Sequence, residues 1–214
     1  MAQAVVTFLD IFNEKALISK LTGMRAHFAA TEDGTLTAVL IFPRKPELLN
    51  VYGAVHGGLI ATMVDTVTWF ASTLHHTGWQ TAPMVTSDME IRYLGDTRNA
   101  DLVAVGSVIK VGRRQMVCTA HIYRCQLDEV TRVPTEEQPR GARDQAWYSD
   151  IDIAALQHTQ PLVSYGTATF MITRPNPQDG RTQTNNPSFS SASSENSSHT
   201  LEPAARGQVL AAKL

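Results

Sequence analysis

The sequence has little that would bind a highly charged partner or span a membrane. Its 18 Lys and Arg residues nearly balance its 20 Asp and Glu residues, which gives a formal net charge of -2. Because capture of nucleic acid needs a concentrated basic surface, no nucleic-acid partner is expected. No apolar run reaches the roughly 20 residues that cross a bilayer, so no membrane-spanning helix is expected either.

Cysteine is scarce, and the common metal-binding and nucleotide-binding motifs are missing. Cys118 and Cys125 lie in one strand-like segment, about 23 Å apart at roughly 3.3 Å per residue, so they cannot form a disulfide with each other. Their spacing fits no metal site, and a lack of disulfides is typical of a reducing compartment. His75 and His76 are adjacent and point in different directions from a helix. With no G-x-S-x-G, P-loop or G-x-G-x-x-G motif, we expect no metal and no cofactor.

The hydrophobic pattern predicts a helix, a hairpin, one buried helix and then four strands. The first residues read as an amphipathic helix that ends at Gly23. "MRAHFAA" and "TLTAVLIF" flank the turn "TEDG" as a hairpin. The long apolar helix candidate spans residues 57–76 and is closed by Gly78. Four strand-like runs follow, "APMVTSDMEIRYLG", "ADLVAVGSVIKVG", "RRQMVCTAHIYRCQL" and "PLVSYGTATFMIT".

Two segments fall outside this compact pattern, so the predicted domain comprises residues 1–127 and 161–173. Residues 128–160 begin polar and form an insertion between the last two strands, in which "DIDIAALQH" reads as a short helix. Residues 174–214 are rich in Ser and Asn. Such a composition cannot bury enough apolar surface to offset ordering entropy, so this tail is expected to be disordered.

The long helix is apolar around most of its circumference, which predicts an α+β fold with a central helix wrapped by an antiparallel sheet of five or six strands. Its single acidic residue, Asp65, is therefore the first functional candidate. An ionised carboxylate is costly to bury unless it is paired, and a carboxylate in such a setting is a candidate base. The alternative is that Asp65 simply hydrogen-bonds a neighbouring strand or lies at a wet edge.

A glycine pair, Gly57 and Gly58, opens the same helix two turns before Asp65. The first N–H groups of a helix have no acceptor within it, so they can stabilise an oxyanion. One helix thus supplies a place for an electrophile and a base. His56, just before the pair, either reacts or simply caps the helix. In the following strand, alternation places Thr86 on the face opposite Val85 and the other apolar residues.

These residues resemble the PaaI-type thioesterases of the hotdog fold. The resemblance lies in "HGG" followed after six residues by Asp65, then "TSDMEIRYL" and "GRRQMVCTAHIY", and the acyl-coenzyme A thioesterase 13 branch looks most similar. It covers roughly residues 5–127 and 161–173. The resemblance implies a homodimer or homotetramer that binds acyl-CoA across the subunit interface.

The resemblance also implies roles for individual residues. Asp65 matches the general base or nucleophile, and Gly57 matches the N–H donor to the thioester carbonyl, with Gly58 beside it. Asn50 matches a residue that holds the carbonyl or the lytic water, and His56 matches a histidine that supports the loop. Thr86 stands where that branch has a water-positioning serine.

Two further expectations concern substrate binding and cellular location. Arg113 and Arg114 stand where related proteins approach the CoA phosphates, although arginines at the start of a strand are also often just solvated. Ala212, Lys213 and Leu214 follow the small–basic–Leu pattern that the peroxisomal import receptor reads. The expected location is a peroxisome or a related organelle, with the cytosol or a mitochondrion as alternatives.

The function expected from all of this is hydrolysis of a fatty or aryl acyl-CoA to CoA and a carboxylic acid. A hotdog module that binds acyl-CoA or a protein without turnover is the main alternative. A hotdog dehydratase needs a different arrangement of His and Asp, which the sequence does not contain.

Overall fold

The computed structural model describes residues 3–31, 33–76, 83–126 and 151–173. The predicted Gly78 helix end, most of the insertion and the tail with its terminal tripeptide lie outside these ranges. The helices are α1 (Gln3–Lys15), α2 (Leu17–Thr22), α3 (Gly57–Thr73) and α4 (Ile153–Thr159). The strands are β1 (Arg25–Ala30), β2 (Leu36–Phe42), β3 (Met84–Tyr93), β4 (Asp101–Val111), β5 (Gln115–Cys125) and β6 (Leu162–Ile172).

The strands form one six-stranded sheet in the order β1-β2-β4-β5-β6-β3, and every neighbouring pair is antiparallel. The predicted α+β class, the hairpin of β1 and β2 and the order of elements are all confirmed. In the described ranges, no helix is long and apolar enough to cross a membrane. The strand order leaves β3 at one edge of the sheet and β1 at the other.

The long helix α3 lies against one face of the sheet, and its apolar residues form the centre of the core. Ile60, Met63, Val64, Val67 and Phe70 are each at most 4% exposed. Two glycines allow this close approach. A Cβ on Gly106 of β4 would lie 2.6 Å from the Val67 carbonyl oxygen, and one on Gly166 of β6 would lie 2.9 Å from Val64 Cγ1. Both glycines are therefore required by packing.

The N-terminal helix ends where the sequence predicts, but it is broken. Gly23 caps α2 in the left-handed region at φ 78°, and its N–H donates to the Ser19 carbonyl at 2.7 Å. Ala16, in extended conformation, separates α1 from α2. Leu9 and Phe12 of α1 are buried against the end of α3, where Phe12 packs edge-on against Phe70.

The opposite face of the sheet is covered in part by α4, the predicted short helix of the "DIDIAALQH" segment. The Asp152 side chain caps this helix by accepting from the Ala155 N–H at 3.1 Å. Ile151, Ile153 and Leu156 are buried in a second apolar cluster with residues of β2, β4 and β5. The end of the insertion is thus anchored on the side of the sheet away from α3.

Candidate active site

Asp65 lies in the middle of α3 and is held by the edge strand. The Thr86 hydroxyl donates a hydrogen bond to Asp65 Oδ1 at 2.7 Å. Asp65 is half-buried, and its helix neighbours Val64 and Val67 are fully buried. Among the described residues, no Lys, Arg or His forms an ion pair with it. We call Asp65 and Thr86 the carboxylate cluster; one carboxylate oxygen is fixed there and the other has no partner within the described ranges.

The expected strict alternation along β3 is wrong, and a β-bulge is the reason. Thr86 pairs with Phe170 and Asp88 pairs with Thr169, so Ser87 is an extra residue on β3. A bulge of one residue reverses which side chains face each side of the sheet beyond it. As a result Thr86, before the bulge, faces α3, and Ile91 and Tyr93, beyond the bulge, also face α3. From sequence, Thr86 was placed on the opposite face from these apolar residues.

The loop before α3 is tied together by Asn50. Asn50 Oδ1 accepts from the N–H groups of Tyr52 and Ala54, at 2.9 and 3.2 Å. The turn also needs Gly53, whose φ of 77° is one that other residues rarely adopt. Asn50 thus fixes the loop through its oxygen, and in the part of the chain that the structure describes its amide nitrogen has no acceptor.

His56 caps α3 and accepts hydrogen bonds from most of the N–H groups of the first turn. Its Nδ1 accepts from the Gly58 N–H at 3.2 Å, and its carbonyl oxygen accepts from Leu59 and Ile60 at 2.8 and 3.3 Å. Of the first four N–H groups in the helix, only that of Gly57 has no acceptor among the described residues. Gly57 is therefore the available donor of this turn, whereas the N–H of Gly58 is already engaged. We call residues 50–58 the glycine turn.

Packing does not explain why both positions are glycine. Neither Gly57 nor Gly58 has a positive φ. A Cβ on Gly57 would come no closer than 3.6 Å to Tyr93, and one on Gly58 no closer than 3.5 Å to His56. These are ordinary contacts, in contrast to Gly106 and Gly166. A glycine pair that the fold does not require fits a backbone that a ligand must approach closely.

Tyr93, at the end of β3, contacts the glycine turn directly. Its hydroxyl donates to the Gly57 carbonyl oxygen at 3.1 Å, and its ring lies beside the Gly57 Cα. The sequence pattern does not single out this residue, because Tyr93 is one of the alternating apolar positions of the strand. A tyrosine at a position that faces a helix start, where its hydroxyl needs a partner, is the signal that could have found it.

The two groups of residues are too far apart to act on one carbonyl within a single chain. Eight residues separate Gly57 from Asp65 along α3, which corresponds to about 12 Å at 1.5 Å per residue. A hydrogen-bond donor must lie about 3 Å from the oxyanion it stabilises. The interpretation that one helix brings an electrophile site and a base to the same point is thus corrected. One chain supplies two separate half-sites, the glycine turn and the carboxylate cluster.

Arg113 and Arg114 lie at the turn between β4 and β5, on the same side of the molecule as the carboxylate cluster. Both are exposed. Ile172 donates to the Arg114 carbonyl at 2.9 Å, and the next pairs along the strands bring Met116, Phe170 and Thr86 into one row. At about 4.8 Å per strand and 3.3 Å per residue, the Arg114 backbone is roughly 12 Å from that of Thr86. The arginines are near this half-site but do not contact it.

Within the described ranges, no cluster of three or more His, Cys, Asp or Glu side chains could hold a metal ion. The polar groups at the two half-sites are a carboxylate, hydroxyls, a side-chain amide and backbone N–H groups.

Part of the chain matches a known protein family. Residues 52–131 match the family model described as "Thioesterase superfamily". This range includes Gly57, Asp65 and Thr86, and it begins two residues after Asn50. No curated protein matches the chain significantly.

Solved structures show that the fold is the hotdog fold. A thioesterase of Haemophilus influenzae is 15% identical, with a TM-score of 0.55 over 79% of this chain and 90% of that one. A thioesterase family protein of Silicibacter pomeroyi is 18% identical, with a TM-score of 0.54 over 79% and 96%. Thioesterase superfamily member 2 of zebra fish is 20% identical, with a TM-score of 0.52 over 78% and 97%. Identities this low establish the fold and leave residue roles to the geometry.

Proposed function

We propose that this protein hydrolyses the thioester of an acyl-CoA to CoA and a free carboxylic acid. The observation that carries the proposal is the half-buried Asp65 carboxylate, which Thr86 holds by one oxygen while the other oxygen has no partner among the described residues. The matched family model supports thioester hydrolysis as the general reaction. The resemblance to the acyl-coenzyme A thioesterase 13 branch supports a fatty or aryl acyl group.

The residues of the two half-sites are sufficient for the chemistry. The Gly57 N–H polarises the thioester carbonyl and stabilises the negative charge that forms on its oxygen. Asp65 takes a proton from water, the resulting hydroxide attacks the carbonyl carbon, and the C–S bond breaks. The proton on Asp65 then passes to the departing thiolate. In the alternative route Asp65 itself attacks, and water hydrolyses the mixed anhydride.

These two routes differ in where solvent oxygen goes. In a single turnover in H₂¹⁸O, the general-base route labels only the released carboxylic acid. The nucleophilic route labels the Asp65 carboxylate when water attacks the mixed anhydride at the Asp65 carbonyl, so a labelled Asp65 identifies this route. Mass spectrometry of the peptide that contains Asp65 separates them.

The separation of the half-sites leads us to propose that the complete site lies between two copies of the chain. Strand β3 carries Thr86 near its start and Tyr93 at its end, and one of its sides is an edge of the sheet. If two β3 strands pair antiparallel about a two-fold axis, the end of one lies beside the start of the other. Gly57 of one copy then meets Asp65 of the partner copy. We propose that Arg113 and Arg114, near the Asp65 half-site, contact the CoA phosphates.

The main experiment compares the wild type with Asp65→Asn on a panel of acyl-CoA chain lengths, with release of CoA as the readout. We expect turnover by the wild type and a loss of at least about a hundredfold in kcat for the variant, with CoA binding retained. Asp88→Asn is the matched control, because Asp88 lies on the same strand as Thr86, is exposed and faces away from α3. Lack of wild-type turnover at every chain length would refute hydrolysis and leave the acyl-CoA-binding module.

Mixing two inactive variants tests the shared site. Asp65→Asn removes the base, and Gly57→Pro removes the N–H donor. In a mixed dimer, one of the two shared sites regains both wild-type groups, so an equal mixture recovers about a quarter of wild-type activity. If each chain held a complete site, every chain in the mixture would carry one defect and no activity would return.

A further inference from the structure

We propose that Tyr93 is a positioning residue that fixes the orientation of the Gly57 N–H for the thioester carbonyl. This inference rests on the proposed function, and it concerns a residue that does not itself touch the reacting atoms. The Tyr93 hydroxyl donates to the Gly57 carbonyl oxygen at 3.1 Å, and its ring packs 3.6–3.7 Å from where a Gly57 Cβ would lie.

The start of α3 needs such an anchor because it consists of two glycines. Glycine has the greatest backbone freedom of any residue, and the first turn of a helix lacks the hydrogen bonds that stabilise its interior. A helix that begins Gly-Gly is therefore prone to fray at the residue whose N–H is the proposed donor. His56 accepts hydrogen bonds from the N–H groups of Gly58, Leu59 and Ile60, and the two bonds to its carbonyl oxygen orient the peptide plane that contains the Gly57 N–H.

Tyr93 adds a contact to Gly57 from outside the helix. Its hydroxyl holds the carbonyl of Gly57, so the peptide plane that follows Gly57 cannot rotate freely. Its ring covers one side of the Gly57 Cα, which limits sideways movement of the turn. The N–H of Gly57 has no acceptor among the described residues, so its position depends on the bonds to the His56 carbonyl on one side and on the contacts from Tyr93 on the other. Tyr93 and His56 thus hold the turn from two sides.

The bulge at Ser87 allows one strand to serve both half-sites. Thr86 and Tyr93 are an odd number of residues apart, so in a regular strand their side chains would face opposite sides of the sheet. The extra residue reverses the alternation, and both hydroxyls face α3. Strand β3 therefore fixes Asp65 through Thr86 and Gly57 through Tyr93.

The test compares wild type, Tyr93→Phe and Tyr93→Leu in steady-state hydrolysis of an acyl-CoA by the full chain. Removal of the hydroxyl is expected to lower kcat about five- to tenfold, the equivalent of one ordinary hydrogen bond, with KM changed less than about twofold. Tyr93→Leu, which also removes the ring, is expected to lower kcat further. Tyr165→Phe is the matched control: its phenol lies on β6 next to Gly166, which faces α3, so Tyr165 faces away from the helix.

A second readout separates positioning from general stability. Hydrogen exchange of the amides at residues 57–60 is expected to quicken in Tyr93→Phe, while exchange in the rest of α3 and the melting temperature stay close to wild type. Wild-type kcat in Tyr93→Phe, with unchanged exchange at these residues, would overturn the inference while leaving the proposed function intact. If the wild type shows no turnover, the proposed function fails and hydrogen exchange alone decides whether Tyr93 anchors the turn.

Discussion

Gly57→Pro removes the backbone N–H of residue 57 and is expected to leave the fold intact. Proline lacks the backbone N–H, and the first position of a helix is where proline is best tolerated. The residue before a proline must be extended, and His56 already has φ -62° and ψ 132°. Gly57 has no positive φ, and a Cβ there makes only ordinary contacts with Tyr93. The variant should therefore fold and keep α3 in place.

The expected effect on catalysis is large because no second N–H of the turn can substitute. His56 occupies the N–H groups of Gly58, Leu59 and Ile60. Loss of one oxyanion donor typically costs about 10² to 10³ in kcat, or roughly 3–4 kcal/mol of transition-state stabilisation. An effect of this size on kcat, with a small change in KM, would show that the Gly57 N–H acts mainly in the transition state.

The assay measures CoA release at saturating acyl-CoA by wild type, Gly57→Pro and Gly57→Ala. The alanine variant keeps the N–H while adding a Cβ, so it controls for loss of flexibility and for crowding near the ligand. We expect the proline variant to lose at least about tenfold more activity than the alanine variant. Equal activity of the two would refute the assignment of the Gly57 N–H as the donor, provided that both melt near the wild-type temperature.

Three further predictions concern other parts of the fold. Gly106→Ala is expected to lower the free energy of unfolding by about 1–3 kcal/mol in denaturant titration, because its Cβ would lie 2.6 Å from the Val67 carbonyl oxygen. Burial raises the pKa of Cys118 from 9.0 to about 12, so its thiol should resist maleimide at pH 8 until the protein unfolds. The Cys118 thiol of the unfolded chain ionises at a lower pH than the buried thiol. Its contribution to the free energy of unfolding is therefore fully present below pH 9 and declines as the pH rises towards 12. Thr86→Val should lower kcat several-fold by freeing the Asp65 carboxylate to rotate, whereas Thr86→Ser, which keeps the hydroxyl, should remain close to wild type.

The fold could be predicted from the sequence because its signals are local and periodic. The apolar positions of α3 recur at helical spacing around nearly the whole helix, and a helix of this kind has to be surrounded by other structure. The stop at Gly23 follows from the left-handed conformation that glycine adopts there. The break at Ala16 could not be predicted, because alanine favours helix and tertiary packing decides the break.

The site was only partly predictable, because its geometry depends on register and distance. Candidate residues such as Asp65 and Gly57 stand out by residue type, since a carboxylate and a glycine pair are unusual in an apolar helix. Their separation of about 12 Å follows from helix rise and was available from sequence, yet it matters only once the helix is known to be straight and continuous. The bulge at Ser87 depends on pairing with β6, and no local pattern in β3 reveals it.

Two independent features of β3 favour its pairing with the β3 strand of a second copy of the chain. An edge strand in a monomeric protein is usually short, charged or bulged, because an open edge invites other strands to pair with it. This strand has ten residues, its bulge is confined to Ser87, and Val85, Tyr93 and the adjoining Leu94 are each more than half exposed. Its charged residues Asp88, Glu90 and Arg92 lie on the side of the sheet away from α3, where Glu90 pairs with Arg92, and they do not block the edge.

The spacing of the half-sites is the second feature that favours this pairing, and it is independent of how exposed the residues of β3 are. In the proposed mechanism the Gly57 N–H and the Asp65 carboxylate act on one carbonyl, which requires them to come from different chains, and antiparallel pairing of two β3 strands would bring them together. A dimer formed through another surface would cover apolar residues but leave both half-sites incomplete. The subunit contact and the proposed activity are therefore expected to be lost together when β3 pairing is blocked, whereas contacts elsewhere can be lost without effect on turnover.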